Sequence, residues 1–269
     1  MVDDVFSDRM NSAAGIRLAG APNFRDVIGY QGADGRKLSA GKIFRSDSLA
    51  RLTTQDLELL DGLGIGTLID LRSPREREAF PNLWPAKPEI EILHLDISND
   101  LRASESTLNR ILAADLSASG AREVMRETYR RMPGAFVGRL DQVFTRLLAG
   151  NPLLVHCTAG KDRTGFVTAM IMCALDIERD AIYEEYMLTT KQCDVRRIAQ
   201  GSAKAIAAAM GRPDIDFDFV VVLSDVEPGY LDLSFSTIDE EFGSIDNYLK
   251  VAGGLDANKR TQLQRLLLE

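Results

Sequence analysis

Short apolar runs alternate with amphipathic stretches along the first half of the chain, the pattern of strands and helices laid down in turn. Ile28-Gly29-Tyr30 and Lys42-Ile43-Phe44-Arg45 flank a Gly-Ala-Asp-Gly turn at 32–35, which predicts a hairpin-like pair. Thr53 predicts the cap of a helix over 56–60, stopped at Gly62 and Gly64. Residues 67–71 and 90–97 read as strands, the second after a Pro-interrupted segment. Residues 105–131 and 134–149 read as helices split by Pro133-Gly134. Residues 152–155 read as a buried strand running straight into His156-Cys157, and 165–175 is apolar around its whole circumference, as a central helix should be.

Beyond that helix the pattern is helical almost throughout. One helix is capped by Asp180 and carries Tyr183 and Tyr186, an Ala-rich one over 195–210 ends at Gly211, and 230–248 and 259–268 complete the set. Ile198, Ala199, Ala205, Ile206 and Ala209 form an apolar stripe that either packs into the core or covers a pocket. No linker rich in Gly, Ser or Pro divides the chain, so the expectation is one domain over 1–269. Its class is α/β: a central sheet fed by early strands, flanked by helices, with a helix-rich C-terminal half.

Composition narrows the function classes. The 269 residues are 45% hydrophobic and 27% charged, enough to bury a core and too apolar for chain-wide disorder. The net charge of −8 argues against a general nucleic-acid binder, which needs a basic face to displace counterions. Three Cys make no disulfide framework and suggest a reducing compartment. Together with two His, His94 and His156, they give no zinc-ligand spacing, so no metal and no cofactor is expected. The acidic start MVDDVFSDRM lacks a Sec-type signal, and the longest uncharged apolar stretch, 164–175, is short of the ~20 residues a membrane helix needs. The expectation is a cytoplasmic protein with no integral membrane segment.

The chemistry lies in Val155-His156-Cys157-Thr158-Ala159-Gly160-Lys161-Asp162-Arg163-Thr164-Gly165. Cys157 and Arg163 stand six positions apart on a loop between a buried strand and a buried helix. Spacing alone is weak, since Cys173 and Arg179 share it, but those two flank Ala-Leu-Asp-Ile-Glu on an apolar helix, with no glycine for a tight loop. At Cys157 a loop closing on a helix N-terminus points backbone N–H groups inward, a nest for a tetrahedral dianion. Gly160 lets the backbone turn and approach closely. Arg163 offers a two-pronged guanidinium to two phosphate oxygens, and Thr158, Ala159, Gly160, Lys161 and Asp162 complete the phosphate-binding loop. The same dipole and amides favour thiolate over thiol at Cys157, and Thr164 could hydrogen-bond the departing sulfur.

These residues resemble a family. HCTAGKDRTG is similar to the H-C-x5-R-[ST] loop of cysteine-dependent protein tyrosine phosphatases, and its internal Lys-Asp resembles the bacterial tyrosine-phosphatase-like group. Pro22-Asn23-Phe24-Arg25-Asp26-Val27, Phe44-Arg45-Ser46, Ile69-Asp70-Leu71-Arg72-Ser73 with Glu76, and Phe242-Gly243-Ser244 with Tyr248-Leu249 resemble further segments of that group. Ile28-Gly29 stands where the group usually shows Gly-Gly. The resemblance implies a phosphatase-type α/β fold and a metal-independent, two-step hydrolysis of phosphomonoesters. In it Cys157 forms a phosphocysteine, and Arg163 with the loop amides holds the equatorial oxygens.

A general acid must also protonate the leaving oxygen. The resemblance favours Asp162, whose alternative role is a loop-stabilising carboxylate. Asp70 either assists catalysis or pairs with Arg72 or Arg45, and Asp96 and Asp100 follow a strand where related phosphatases carry their acid. His156 reads as a support for the loop and His94 as a strand residue. Lys161, with Arg72, Arg75 and Arg77, either adds a basic rim at the mouth or is solvated. The expected partner is a phosphorylated protein, chiefly phosphotyrosine, with phosphoserine, phosphothreonine and phosphoinositide as further substrates. The alternative is a pseudophosphatase that only binds phosphorylated partners.

Overall fold

The computed structural model describes residues 15–84, 89–97, 110, 111 and 113–269. The protein is α/β. A five-stranded sheet runs in the order β1-β2-β5-β3-β4, built from β1 (Arg25–Asp26), β2 (Ile43–Ser46), β3 (Thr67–Asp70), β4 (Glu91–His94) and β5 (Leu153–His156). β1 is antiparallel to β2 and every other pairing is parallel. The register sets Ser46, His156, Asp70 and His94 side by side at one edge, where the strands end together. In parallel sheets ligands bind beyond that carboxyl edge.

The sheet is a partition between two apolar clusters, because successive strand residues face opposite sides. Ile43, Ile69, Leu153 and Val155 join the larger cluster, and Phe44, Leu68 and Leu154 the smaller one. The smaller side is closed by helix α1 (Thr54–Asp61), whose Thr53 cap and Asp56 form the reciprocal bonds of a capping box. After α2 (Pro74–Ala79) and β4, the larger side is covered by α3 (Ala118–Ala135), α4 (Leu140–Leu148) and the central α5 (Asp162–Ala174). Every side chain of α5 from Thr164 to Ala174 is buried, each large apolar one contributing about 1.5–3 kcal/mol. The remaining helices are α6 (Arg179–Gln192), α7 (Val195–Met210), α8 (Phe217–Ser224), α9 (Pro228–Phe242), α10 (Ile245–Gly253) and α11 (Ala257–Leu267). No helix among the described residues is long and apolar enough to cross a membrane.

Five details depart from the sequence pattern, the first being that β2 pairs with Arg25–Asp26 and not with the expected segment 28–30. Pro133 does not split its helix: α3 runs through it to Ala135, and the break falls at 136–139. A proline leaves the carbonyl four residues back without its helical donor. Here that carbonyl, on Tyr129, accepts the Ser234 hydroxyl of α9 at 2.7 Å. The early part of the expected first helix, 105–109, lies outside the described residues. The expected single helix over 230–248 is two, divided at Gly243, whose φ of 78° ends α9 and whose successor Ser244 caps α10. Glu178, not Asp180, occupies the N-cap of α6, with Asp180 in the first turn. The unforeseen α8 lies between α3 and α7. On α7, Ala199 is buried and Ile198 is exposed.

Candidate active site

The peptide that leaves β5 at His156 turns at Cys157 and re-enters regular structure at Asp162, the first residue of α5. Cys157 is buried at the head of this loop. Gly160 is left-handed, with φ of 63°, and a Cβ there would lie 2.5 Å from Ser46 and Asp47 backbone atoms. No side chain fits, so glycine is what lets the loop sit against the end of β2. Lys161 occupies the N-cap of α5 and gives it no side-chain cap. The first-turn amides therefore lack a side-chain acceptor at the position where an anion would supply one. The Thr164 hydroxyl is buried without a hydrogen-bond partner.

Arg163 projects from the first turn of α5 and is clamped. Its guanidinium donates to both Glu76 carboxylate oxygens, at 2.9 and 2.8 Å, and to the Leu71 carbonyl at 3.1 Å. Glu76 is itself fixed on α2, where it receives the Ser73 N–H at 2.8 Å within a capping box. Burial opposes the Glu76 charge, but Arg163 and the Thr158 hydroxyl outweigh it and hold the carboxyl down at about 2. Arg163 in turn suffers from burial and is held above its ordinary range by neighbouring Cys157 and Glu76. The cation is thus permanent and aimed.

Behind the loop, the sheet register places Asp70 beside His156. Arg72 takes Asp70 with two side-chain bonds, at 2.9 and 2.8 Å, which decides between its two candidate arginines. Burial raises the Asp70 carboxyl, and the bonds from His156 and Arg72 overcome it, leaving it well below the usual carboxylate range. His156 lies with Nδ1 3.2 Å from the Cys157 carbonyl and Nε2 3.3 Å from the Asn82 amide. His156 and Asp70 are both fully buried. They lie beside the start of the loop, with His156 against the Cys157 peptide.

Asp162 is enclosed by donors. Its Oδ1 accepts the Tyr129 hydroxyl at 2.7 Å, that hydroxyl lies 2.6 Å from the Tyr186 hydroxyl, and the Lys161 ammonium stands 3.2 Å from Oδ2. Lys161 also donates to the Leu223 and Asp225 carbonyls, both at 2.8 Å, at the end of α8. It is buried and turned into the fold, so it adds no charge to a rim. Arg72 is buried as well, Arg77 donates to the Arg72 carbonyl, and Arg75 is exposed on α2. Asp96 follows β4, Asp100 lies outside the described residues, and His94 stands exposed at the end of that strand.

The rival pair separates cleanly. Cys173 lies within α5 and burial pushes its thiol up to about 12, while the Arg179 guanidinium stacks 3.3 Å from the centre of the Phe235 ring. Among the described residues no cluster of His, Cys, Asp or Glu is arranged to hold a metal ion. Several residues around the loop carried no signal by themselves: Glu185, Tyr129, Tyr186 and Asn82 touch it only through the fold. Asn23, Arg45 and Glu76 stood out only by resemblance.

A model of the tyrosine phosphatase family matches residues 16–269. This chain belongs to that family. It is 34% identical over 265 residues to the triple specificity protein phosphatase PtpB of Mycobacterium tuberculosis, covering 88% of this chain and 93% of that one. It is 32% identical over 243 residues to a Cupriavidus necator protein assigned as a tyrosine-protein phosphatase, covering 87% and 82%. A Nostoc commune tyrosine-protein phosphatase is 26% identical over 154 residues, covering 56% and 49%. The solved structure of TpbA from P. aeruginosa overlays with a TM-score of 0.31 at 15% identity, covering 78% of this chain and 96% of that one. Family membership makes the chain a phosphatase by kind.

Proposed function

We propose that the protein hydrolyses phosphomonoesters through a phosphocysteine at Cys157, with phosphotyrosine protein as its main substrate. One observation carries the reading: a buried cysteine and a guanidinium braced by two carboxylate bonds share one tight loop at an uncapped helix N-terminus. The Cys157 sulfur attacks phosphorus in line and the ester P–O bond breaks. Arg163 and the amides of 158–163 take the charge that gathers on the equatorial oxygens. Water then attacks phosphorus, the S–P bond breaks with its electrons returning to sulfur, and inorganic phosphate leaves. Thr164, whose hydroxyl has no other partner, meets the sulfur as it departs.

The leaving oxygen needs a proton, and the three described aspartates that could supply it differ. Asp70 is held ionised by Arg72 and is a support. Asp162 accepts a hydrogen bond from the Tyr129 hydroxyl and faces the Lys161 ammonium, two contacts that tie its carboxylate into the fold rather than leave it free to meet a leaving group. We therefore read Asp162 first as the anchor of the loop, and as proton donor only if those two contacts open. Asp96, next along the same edge, is then the acid to test. The triple specificity in the name of the PtpB relative supports a range wider than phosphotyrosine, and we extend the proposal to phosphoserine, phosphothreonine and phosphoinositide, taken by a single domain over 1–269. Initial rates on an aryl phosphate in EDTA, with Cys157→Ser as control, test the reading. Rapid quench should trap phosphate on Cys157. A requirement for added metal, or full turnover by Cys157→Ser, would sink it.

A further inference from the structure

Four of the loop's carbonyl oxygens, those of residues 158–161, meet donors from elsewhere in the chain. Thr158 oxygen accepts the Ser48 N–H at 3.0 Å. The Asn23 amide donates to the Ala159 and Gly160 oxygens, each at 3.0 Å. The Arg45 guanidinium donates to the Gly160 oxygen at 2.6 Å and reaches the Lys161 oxygen at 3.5 Å, which also accepts the Gly165 N–H at 2.8 Å. In a planar trans peptide the C=O of one residue and the N–H of the next point in opposite directions. Holding these four oxygens outward therefore turns the amides of Ala159, Gly160, Lys161 and Asp162 into the loop.

Asn23 and Arg45 are not independent. Glu185 on α6 accepts Arg45 at 2.5 Å through one oxygen and Arg25 at 2.8 Å through the other. Arg25 then donates to the Asn23 side-chain oxygen at 2.6 Å, which fixes which end of that amide faces the loop. All four side chains are buried. One carboxylate thus braces both donors, which meet at the Gly160 oxygen and hold the loop through its carbonyls.

Resting on the phosphatase reading above, we propose that Asn23 and Arg45 are positioning residues that set the direction of the loop amides and so set oxyanion affinity. Asn23→Asp is the sharpest test. It keeps size and shape and still accepts from Arg25, but its second oxygen can donate nothing to the Ala159 and Gly160 carbonyls. The dissociation constant for vanadate, read by direct titration, should rise, and kcat/KM for aryl phosphates fall, by about 10²-fold, the lower end of what a lost oxyanion donor costs. The loss should be the same for good and poor leaving groups, because the equatorial oxygens, not the leaving oxygen, lose their partners. Arg45→Lys keeps the charge but gathers its donors on one nitrogen, where the guanidinium uses two to reach Glu185 and Gly160, so it should show a smaller loss of the same kind. A merely structural role would lower the melting temperature while leaving both constants unchanged for the folded protein. That result, in Asn23→Asp or, should it not fold, in Arg45→Lys, overturns the proposal. A parent that binds vanadate without turnover would sink the hydrolase reading and leave this one standing on the dissociation constants. A parent that does neither sinks both.

Discussion

Glu76→Gln should slow the enzyme without touching the nucleophile. The carboxylate receives two guanidinium donors from Arg163, at 2.8 and 2.9 Å. A glutamine presents one oxygen and sets an NH2 against the other donor, so one of the two bonds is lost together with the charge. A hydrogen bond to a charged group contributes about 1.5–3 kcal/mol. The side chains of Arg163 and Glu76 are 16% and 30% exposed, so solvent screening takes the lower part of that range, about 1.5–2 kcal/mol. If that energy serves to aim Arg163 in the transition state, kcat/KM falls about 10- to 30-fold. Initial rates on an aryl phosphate and on a phosphotyrosine peptide read it directly. The same pair gives an acid-stability signature. Glu76 lies at about 2 in the fold against 4.5 ordinarily, so its contribution is full above 4.5 and is lost as pH falls through about 2. The parent should therefore lose stability more steeply than Glu76→Gln in that window. Rates within about twofold of the parent, with Arg163→Lys strongly impaired, would show that Arg163 works without its brace.

Cys157→Ser should abolish turnover while phosphate and vanadate still bind, since the amides and Arg163 remain; Cys173→Ala should keep near-parent rates, and the reverse pattern would mean the wrong cysteine. Asp162→Asn should slow esters with acidic and basic leaving groups alike if the residue anchors the loop, whereas a loss of roughly 10²–10⁴-fold confined to basic leaving groups would make it the general acid. Asp26→Asn should flatten the pH dependence of unfolding by urea. Burial, against backbone bonds from Gly41 and Val27, lifts the Asp26 carboxyl to about 6 from 3.8, and one of its oxygens has no partner. Its stability is complete below 3.8 and declines as pH rises through about 6, by up to ~3 kcal/mol. Parallel curves for parent and variant would contradict that account.

The strand, loop and helix around Cys157 were legible because each is encoded locally: an apolar run, a glycine, and a second apolar run. The partners that make the loop work were not, because they arrive from far along the chain. Glu76 reaches Arg163 across 87 positions and Glu185 reaches Arg25 across 160. No window of sequence contains such a pair, and a lone glutamate on a helix reads as solvated. Pro133 misled for a related reason: the Ser234 hydroxyl that relieves its helix lies on another element. The break at Gly243-Ser244, by contrast, was written in the chain as a left-handed residue followed by a cap, and was passed over for the apolar periodicity running across it. Lys161 was misplaced because composition shows where a charge is attached, not which way its long side chain leaves the backbone.

That last feature has a consequence for how substrate arrives. With the Lys161 ammonium spent on the Leu223 and Asp225 carbonyls, the proposed phosphate loop is left with aligned dipoles and one guanidinium already paired with Glu76, whose pull is short-ranged. At longer range an anionic ester approaches a molecule of net charge −8. Encounter is then resisted across about 10 Å at ordinary ionic strength, and added salt should shorten that barrier and raise the association rate. Capture in this protein is decided at contact, by orientation, and diffusion brings its substrates in against the field.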